Sequence, residues 1–191
     1  MFDNAFTKFP ILETDRLKLR RLELNDAGDI FEYAKDKEAF VFTDGFPHEY
    51  EDVKFIVDAW RNEAYNSKQF IRWAIELTAE KKVIGGVYLF APCGNDDSGR
   101  RMDIGIDISR KYWNNGYASE AIQAVSRYGL TAMGLKRVQA QVIPENKGSV
   151  RAFEKAGFVN EGILRNFCHY ESNGNNFRSM SMLSRIPDDL Q

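Results

Sequence analysis

With 191 residues, 43% hydrophobic and 28% charged side chains and a formal charge of −2, the chain has the make-up of a soluble globular protein, and the length suits a single domain over 1–191. Acids and bases are interspersed, which removes any general electrostatic reason to expect nucleic acid or an acidic membrane as a partner. No apolar run approaches the roughly 20 residues that cross a bilayer, and Met1-Phe2-Asp3-Asn4 has neither the basic nor the apolar region of a signal peptide, so the expected location is the cytoplasm; Cys93 and Cys168 are too few and too far apart for a disulfide framework or a zinc site.

Residues 16–22 alternate apolar and basic side chains, as a strand with one buried face does. Asn25 is then placed to cap a helix whose apolar positions Ala27, Ile30, Phe31 and Ala34 recur at helical spacing. A second helix follows on Val53, Ile56, Val57 and Trp60, with Glu49, Glu51 and Asp52 at its dipole-positive end. Phe42, Phe46 and Tyr50 make the intervening loop aromatic. Residues 70–77 and 83–90 are rich in β-branched and aromatic side chains and read as antiparallel neighbours, and a Pro- and Gly-bearing loop over 91–101 leads to a strand over 102–108.

From Ala118 a helix buries Ala121, Ile122, Val125 and Gly129 and turns Glu120, Gln123 and Arg127 outward. Val138, Ala140 and Val142 alternate with polar residues in the next strand. Asn146 caps a short helix over 150–155 that stops at Gly157. Two last strands, 163–171 and 175–185, flank the hairpin signal Asn173-Gly174. The order β-α-α-β-β-β-α-β-α-β-β describes an α/β (α+β) fold on a mixed, mostly antiparallel sheet of about seven strands.

One turn stands out chemically. A strand ending at Ile108, a polar turn and a helix opening at Tyr117 or Ala118 present unpaired amides where the helix dipole also favours an anion. Gly116 lets phosphate oxygens approach the backbone, and Ala118 is small for the same reason. The turn lacks both the lysine of the mononucleotide loop and the three glycines of the dinucleotide fingerprint. On these residues alone a plain structural turn remains open.

The longer segment 104–121, Ile-Gly-Ile-Asp-Ile-Ser-Arg-Lys-Tyr-Trp-Asn-Asn-Gly-Tyr-Ala-Ser-Glu-Ala, resembles the coenzyme A motif of the GNAT acetyltransferase superfamily. Trp113 stands where many members carry Arg or Gln, which is similar to the branch that acetylates ribosomal-protein N-termini. Glu13-Thr14-Asp15-Arg16-Leu17 with Asn25-Asp26-Ala27 resembles that branch's opening, and 144–158 resembles its Asn-x-x-Ser-x-Arg and Glu-Lys-x-Gly-Phe pattern. The resemblance covers about 11–186. Arg178 departs from it, standing where related sequences commonly have an acid.

The resemblance implies one GNAT-like domain with helices on both sheet faces and a splayed parallel strand pair that admits acetyl-coenzyme A as co-substrate, with no metal. It implies that Ile106, Asp107 and Ile108 lie along the pantetheine, that Trp113, Asn114, Asn115, Gly116, Tyr117 and Ala118 hold the pyrophosphate, and that Asn146 and Ser149 meet the pantetheine and sulfur from the far wall. Arg110, Lys111 and Lys147 are candidates for the 3′-phosphate. Asp103 is the candidate base, with Asp107 as its rival on the same strand face, and Ser149 the candidate donor to the thiolate. Phe42, Phe46, Tyr50 and Trp73 are candidates for the acceptor cleft. The acceptor is expected to be a protein N-terminal α-amine; a small amine such as a polyamine, amino sugar or antibiotic, and a non-catalytic acyl-coenzyme A binding module, are the alternatives. A homodimer is common in the family. His48 and His169 sit in no triad or metal spacing.

Overall fold

In the computed structural model, which describes residues 6–43, 49–91, 101–170 and 176–190, the alternating segments become one sheet of eight strands in the order β1-β2-β3-β4-β5-β6-β8-β7. The strands are β1 (Leu12–Glu13), β2 (Leu17–Arg21), β3 (Phe70–Leu77), β4 (Lys82–Phe90), β5 (Arg101–Ile108), β6 (Arg137–Val142), β7 (Val159–Tyr170) and β8 (Asn176–Arg185). Every neighbouring pair is antiparallel except β5 and β6, which run parallel. The Asn173-Gly174 turn lies outside the described residues.

Helices cover both faces. On one, α1 (Ala27–Ala34) and α2 (Tyr50–Ala59) bury Ile30, Tyr33, Val53 and Val57 against Leu22, Ala74 and Val83. On the other, α3 (Tyr117–Thr131) and α4 (Lys147–Lys155) close a larger core around Leu19, Trp73, Ile75, Leu89, Met102, Ile122 and Val138. Ala74 belongs to the first core and its neighbours Trp73 and Ile75 to the second, as strand alternation requires. No helix among the described residues is long and apolar enough to cross a membrane.

Several boundaries differ from the sequence reading for local reasons. The eighth strand is β1, whose two residues are too short to display a period. Asn25 is not a cap: it lies within a 3-10 turn, Leu24–Asp26, where Asp26 accepts the Glu23 amide at 2.7 Å and both arms of the Arg20 guanidinium at 2.8 Å. A carboxylate can take all three donors, and an amide side chain cannot. Strand β7 starts at Val159 rather than Ile163, because a register shift between Asn160 and Gly162, with Gly162 at φ +134, interrupts the alternation. Helix α4 starts at Lys147 with Asn146 as its cap. Glu120 does not face solvent but reaches back to Thr14 and Arg16 in the connection between β1 and β2.

Candidate functional site

The parallel pairing of β5 and β6 stops after three residues, with Asp103 opposite Gln139. Beyond that point β5 continues to Ile108 against β4 alone, and β6 continues to Val142 against β8 alone. The two strands therefore diverge, and every second backbone group of 104–108 faces the gap without a strand partner. A cleft of about 530 Å³ fills the divergence. Its lining combines Asp103, Gly105 and Gln141 with Ile104, Ile106, Val142, Asn146 and Ser149. The first set points to the α1–α2 face and Ile104, Ile106 and Val142 to the α3–α4 face, so the cleft passes through the sheet.

On the α3–α4 side the chain leaves β5 through a 3-10 turn, Arg110–Tyr112, and enters α3. Asn114 at φ 63 and Gly116 at φ 82 are both left-handed, and Gly116 is the N-cap. Among the described residues the amides of Asn114 to Ser119 have no acceptor. That is the donor set an anion needs at a helix N-terminus, and the turn fits a coenzyme pyrophosphate. The side chains of the turn hold its shape. Trp113, 44% exposed, donates its indole N–H to the Ile108 carbonyl at 2.8 Å, and the Asn115 amide donates to the carbonyls of Trp113 and Tyr112.

Arg16, part of the opening pattern, clamps this turn. Its guanidinium donates to the Asn115 carbonyl at 2.9 Å, pairs with Glu120 at 2.6 Å and lies 4.6 Å from the centre of the Tyr117 ring. Thr14 adds a hydroxyl bond to Glu120 at 2.6 Å. Of the three cations considered for the 3′-phosphate, Arg110 is instead paired with Asp36 and Glu38. Lys111 lies over the Tyr112 ring, and Lys147 is exposed at the start of α4.

The two carboxylates of β5 have different surroundings. Asp107 is not part of the cleft lining: it accepts from the buried Arg72 guanidinium at 2.7 Å and from the Tyr33 hydroxyl at 2.8 Å. Burial raises that hydroxyl well above its ordinary pKa. Arg72 is sandwiched between the rings of Trp60 and Tyr88, 4.0 and 5.1 Å from their centres. A Cβ on Gly86 would stand 2.3 Å from this guanidinium, so glycine is what admits it. Asp103 lines the cleft and is only 4% exposed. Its Oδ2 accepts from the Gln141 amide at 3.2 Å, while Oδ1 is buried without a partner. Burial pushes its pKa above the ordinary value, against the opposing pull of Gln139, Arg101 and Arg137.

From the far wall, Asn146 caps α4 by accepting the Ser149 amide at 3.1 Å, and both residues line the cleft. Ile106 lines it too, whereas Ile108 is buried and its carbonyl already accepts from Trp113. Phe42 is part of the lining; Phe46 and His48 lie outside the described residues. Tyr50 packs edge-on against Phe31, and Trp73 is fully buried with its indole bonded to the Pro10 carbonyl at 2.8 Å, so it is core and not cleft. The cleft aromatics that sequence reading passed over are Tyr88 and Phe90 on β4 and Phe167 on β7. Tyr88 sits directly over Gly105, where a Cβ would meet its ring at 2.4 Å. A lone Arg72 inside the apolar run of β3 was a signal for a buried partner.

Known proteins share this family and fold. Residues 16–159 match the acetyltransferase (GNAT) domain family. An uncharacterised N-acetyltransferase of Bacillus subtilis, YoaA, is 37% identical over 163 residues, spanning 84% of this chain and 89% of its own. The structure of a GNAT-family acetyltransferase from Bacillus anthracis has a TM-score of 0.80 at 26% identity, covering 94% of this chain and 99% of that one. Mycobacterium smegmatis RimJ, solved with a coenzyme A disulfide, shares the fold at a TM-score of 0.75 and 20% identity, over 95% of this chain and 88% of its own. The chain belongs to the GNAT acetyltransferase family, whose co-substrate is acetyl-coenzyme A.

Proposed function

From that membership, we propose that this protein transfers the acetyl group of acetyl-coenzyme A to a primary amine, foremost a protein N-terminal α-amine, by direct attack in a ternary complex. One observation carries the reading: the cleft crosses the sheet at the strand divergence and is lined there by a buried carboxylate, Asp103, held by the Gln141 amide. An acceptor approaching from the α1–α2 face meets the Asp103 carboxylate beside Gln141. A thioester arriving from the α3–α4 face meets the free edge of β5 and the first turn of α4.

The coenzyme supplies an activated acyl group on a thiolate leaving group. The turn holds the pyrophosphate through the amides of Asn114 to Ala118, with Trp113 fixing the turn's shape, and the free edge of β5 at Ile106 and the Asn146 side chain fix the pantetheine. Asp103 takes a proton from the acceptor, directly or through a water, and its raised pKa suits it to that task. An α-amine, with a reference pKa near ~8 against ~10.4 for lysine, is within reach of one such base at neutral pH. The neutral amine attacks the thioester carbonyl, a β5 amide steadies the oxyanion, the C–N bond forms and the C–S bond breaks. Ser149 gives a hydrogen bond to the departing thiolate, which takes up a proton to leave as free thiol.

Thiol release from acetyl-coenzyme A, followed with N-terminal peptides and small amines, tests the reading. Turnover is expected with at least one peptide. Tight coenzyme binding with no turnover on any amine would reduce the chain to a binding module, and turnover confined to small amines would move the acceptor class.

A further inference from the structure

The acceptor end of the cleft carries a more specific chemistry. Asp103 is the only charged side chain among the described residues of the lining. Its neighbour on the same face, Asp107, is neutralised by Arg72 and bonded by Tyr33, so it offers no second negative charge. Beside Thr43 and Gln141, which bonds Asp103, the walls on the acceptor side are mostly aromatic and apolar. Phe90 is its direct cross-strand partner on β4, Tyr88 stands over the next residue on the same face, Gly105, and Phe42, Phe167 and Met180 complete the rim. Phe90 and Tyr88 pack ring against ring at 5.8 Å, and Tyr88 stacks in turn on Phe70 at 5.6 Å. These contacts make that wall a preorganised face.

A single carboxylate, whose charge Arg101 and Arg137 already offset in part, balances one ammonium and no more. A second cation here would be desolvated without a counter-charge, and an acid on the acceptor would repel Asp103. Aromatic faces, by contrast, accept both the positive edge of an ammonium and an apolar group beside it. Resting on the acetyltransferase reading above, we infer that the acceptor carries one positive charge, on the reacting amine, with an uncharged apolar group of branched-aliphatic or aromatic size next to it. For an N-terminus this means an apolar first residue rather than an acidic or basic one.

Four acceptors test this with acetyl-coenzyme A in the thiol-release assay: a Phe-led peptide amide, an Asp-led peptide amide, 2-phenylethylamine and spermidine. The Phe-led peptide and 2-phenylethylamine are expected to exceed the other two in kcat/KM by at least about tenfold, the low end of what an apolar pocket distinguishes. Either of the two apolar acceptors leading supports the inference, and their order tells an N-terminus from a small amine. Spermidine or the Asp-led peptide matching them would overturn it while leaving the acetyltransferase reading intact. No turnover with any of the four, with coenzyme binding intact by calorimetry, overturns both. Phe167→Asp, at an exposed position on β7, adds a second acid to the rim. It is expected to raise the ratio of spermidine to 2-phenylethylamine turnover several-fold; an unchanged ratio would mean that Phe167 does not face the acceptor and would remove the rim from the argument.

Discussion

Asp103 is a carboxylate that the fold holds at a cost. In the unfolded chain it titrates near ~3.9, whereas burial raises its value in the folded protein. The sign follows from linkage. A group whose folded value is raised contributes stability while its proton is bound, and loses that contribution as pH rises through the folded value. At neutral pH the ionised Asp103 therefore opposes folding. Asp103→Asn keeps the shape and removes the charge, so its melting temperature at pH 7 is expected to equal or exceed that of the parent. Its kcat/KM is expected to fall by about 10²–10⁴, the usual worth of a general base. Thermal unfolding and thiol release on the same preparation separate this from a merely structural residue, whose loss would lower both. The parent's activity is also expected to decline on its acid side at a pH above that of an ordinary carboxylate. That limb should be missing from whatever activity Asp103→Asn retains.

At the scale of elements, the turn between β5 and α3 is rigid because distant parts of the chain hold it. Arg16 comes from the bend just before β2, 99 residues away in sequence from the Asn115 carbonyl it binds, and Glu120 ties the same guanidinium to the first turn of α3. Arg16→Ala is expected to leave the sheet intact and to raise KM for acetyl-coenzyme A severalfold. The kcat at saturating coenzyme should change little, because Arg16 touches the proposed pyrophosphate seat and not the proposed reacting centre. A fall in kcat with unchanged coenzyme KM would contradict this clamp. The same element marks what the sequence could and could not reveal. Gly116 and the amides after it were legible, since a left-handed position and a helix start have local signatures. The helical faces of Ile30 and Val125 and the alternation of Val138, Ala140 and Val142 were legible for the same reason. The Arg16 clamp, the capture of Asp107 by Arg72 and the burial of Trp73 were not, because each depends on which strands lie side by side. Gly162 hid the start of β7 by breaking the period that reveals a strand.

The whole molecule brings two layers together at one buried charge pair. Arg72 on β3 and Asp107 on β5 join across β4, Tyr33 brings in α1, and Trp60, following α2, covers the guanidinium. Gly86 and Gly105 leave room for Arg72 and Tyr88 at this crossing. Such a pair contributes little beyond an apolar substitute of similar volume, yet breaking one half strands the other charge away from water. Asp107→Leu is therefore expected to lose roughly 3–5 kcal/mol of unfolding free energy, read as a lower urea midpoint. Arg72→Met alone should cost less, since it leaves a carboxylate that still holds the Tyr33 hydroxyl. Arg72→Met with Asp107→Leu should recover much of the loss, giving a strongly non-additive cycle. Additive losses would mean that the two side chains act independently. The double variant also separates the layers functionally. The turn proposed to seat the coenzyme lies on the α3–α4 side and does not involve this pair, so KM for acetyl-coenzyme A should stay near the parent's. The acceptor side is framed by Tyr88, which stacks on Arg72, so KM for the amine should rise in the variant that folds.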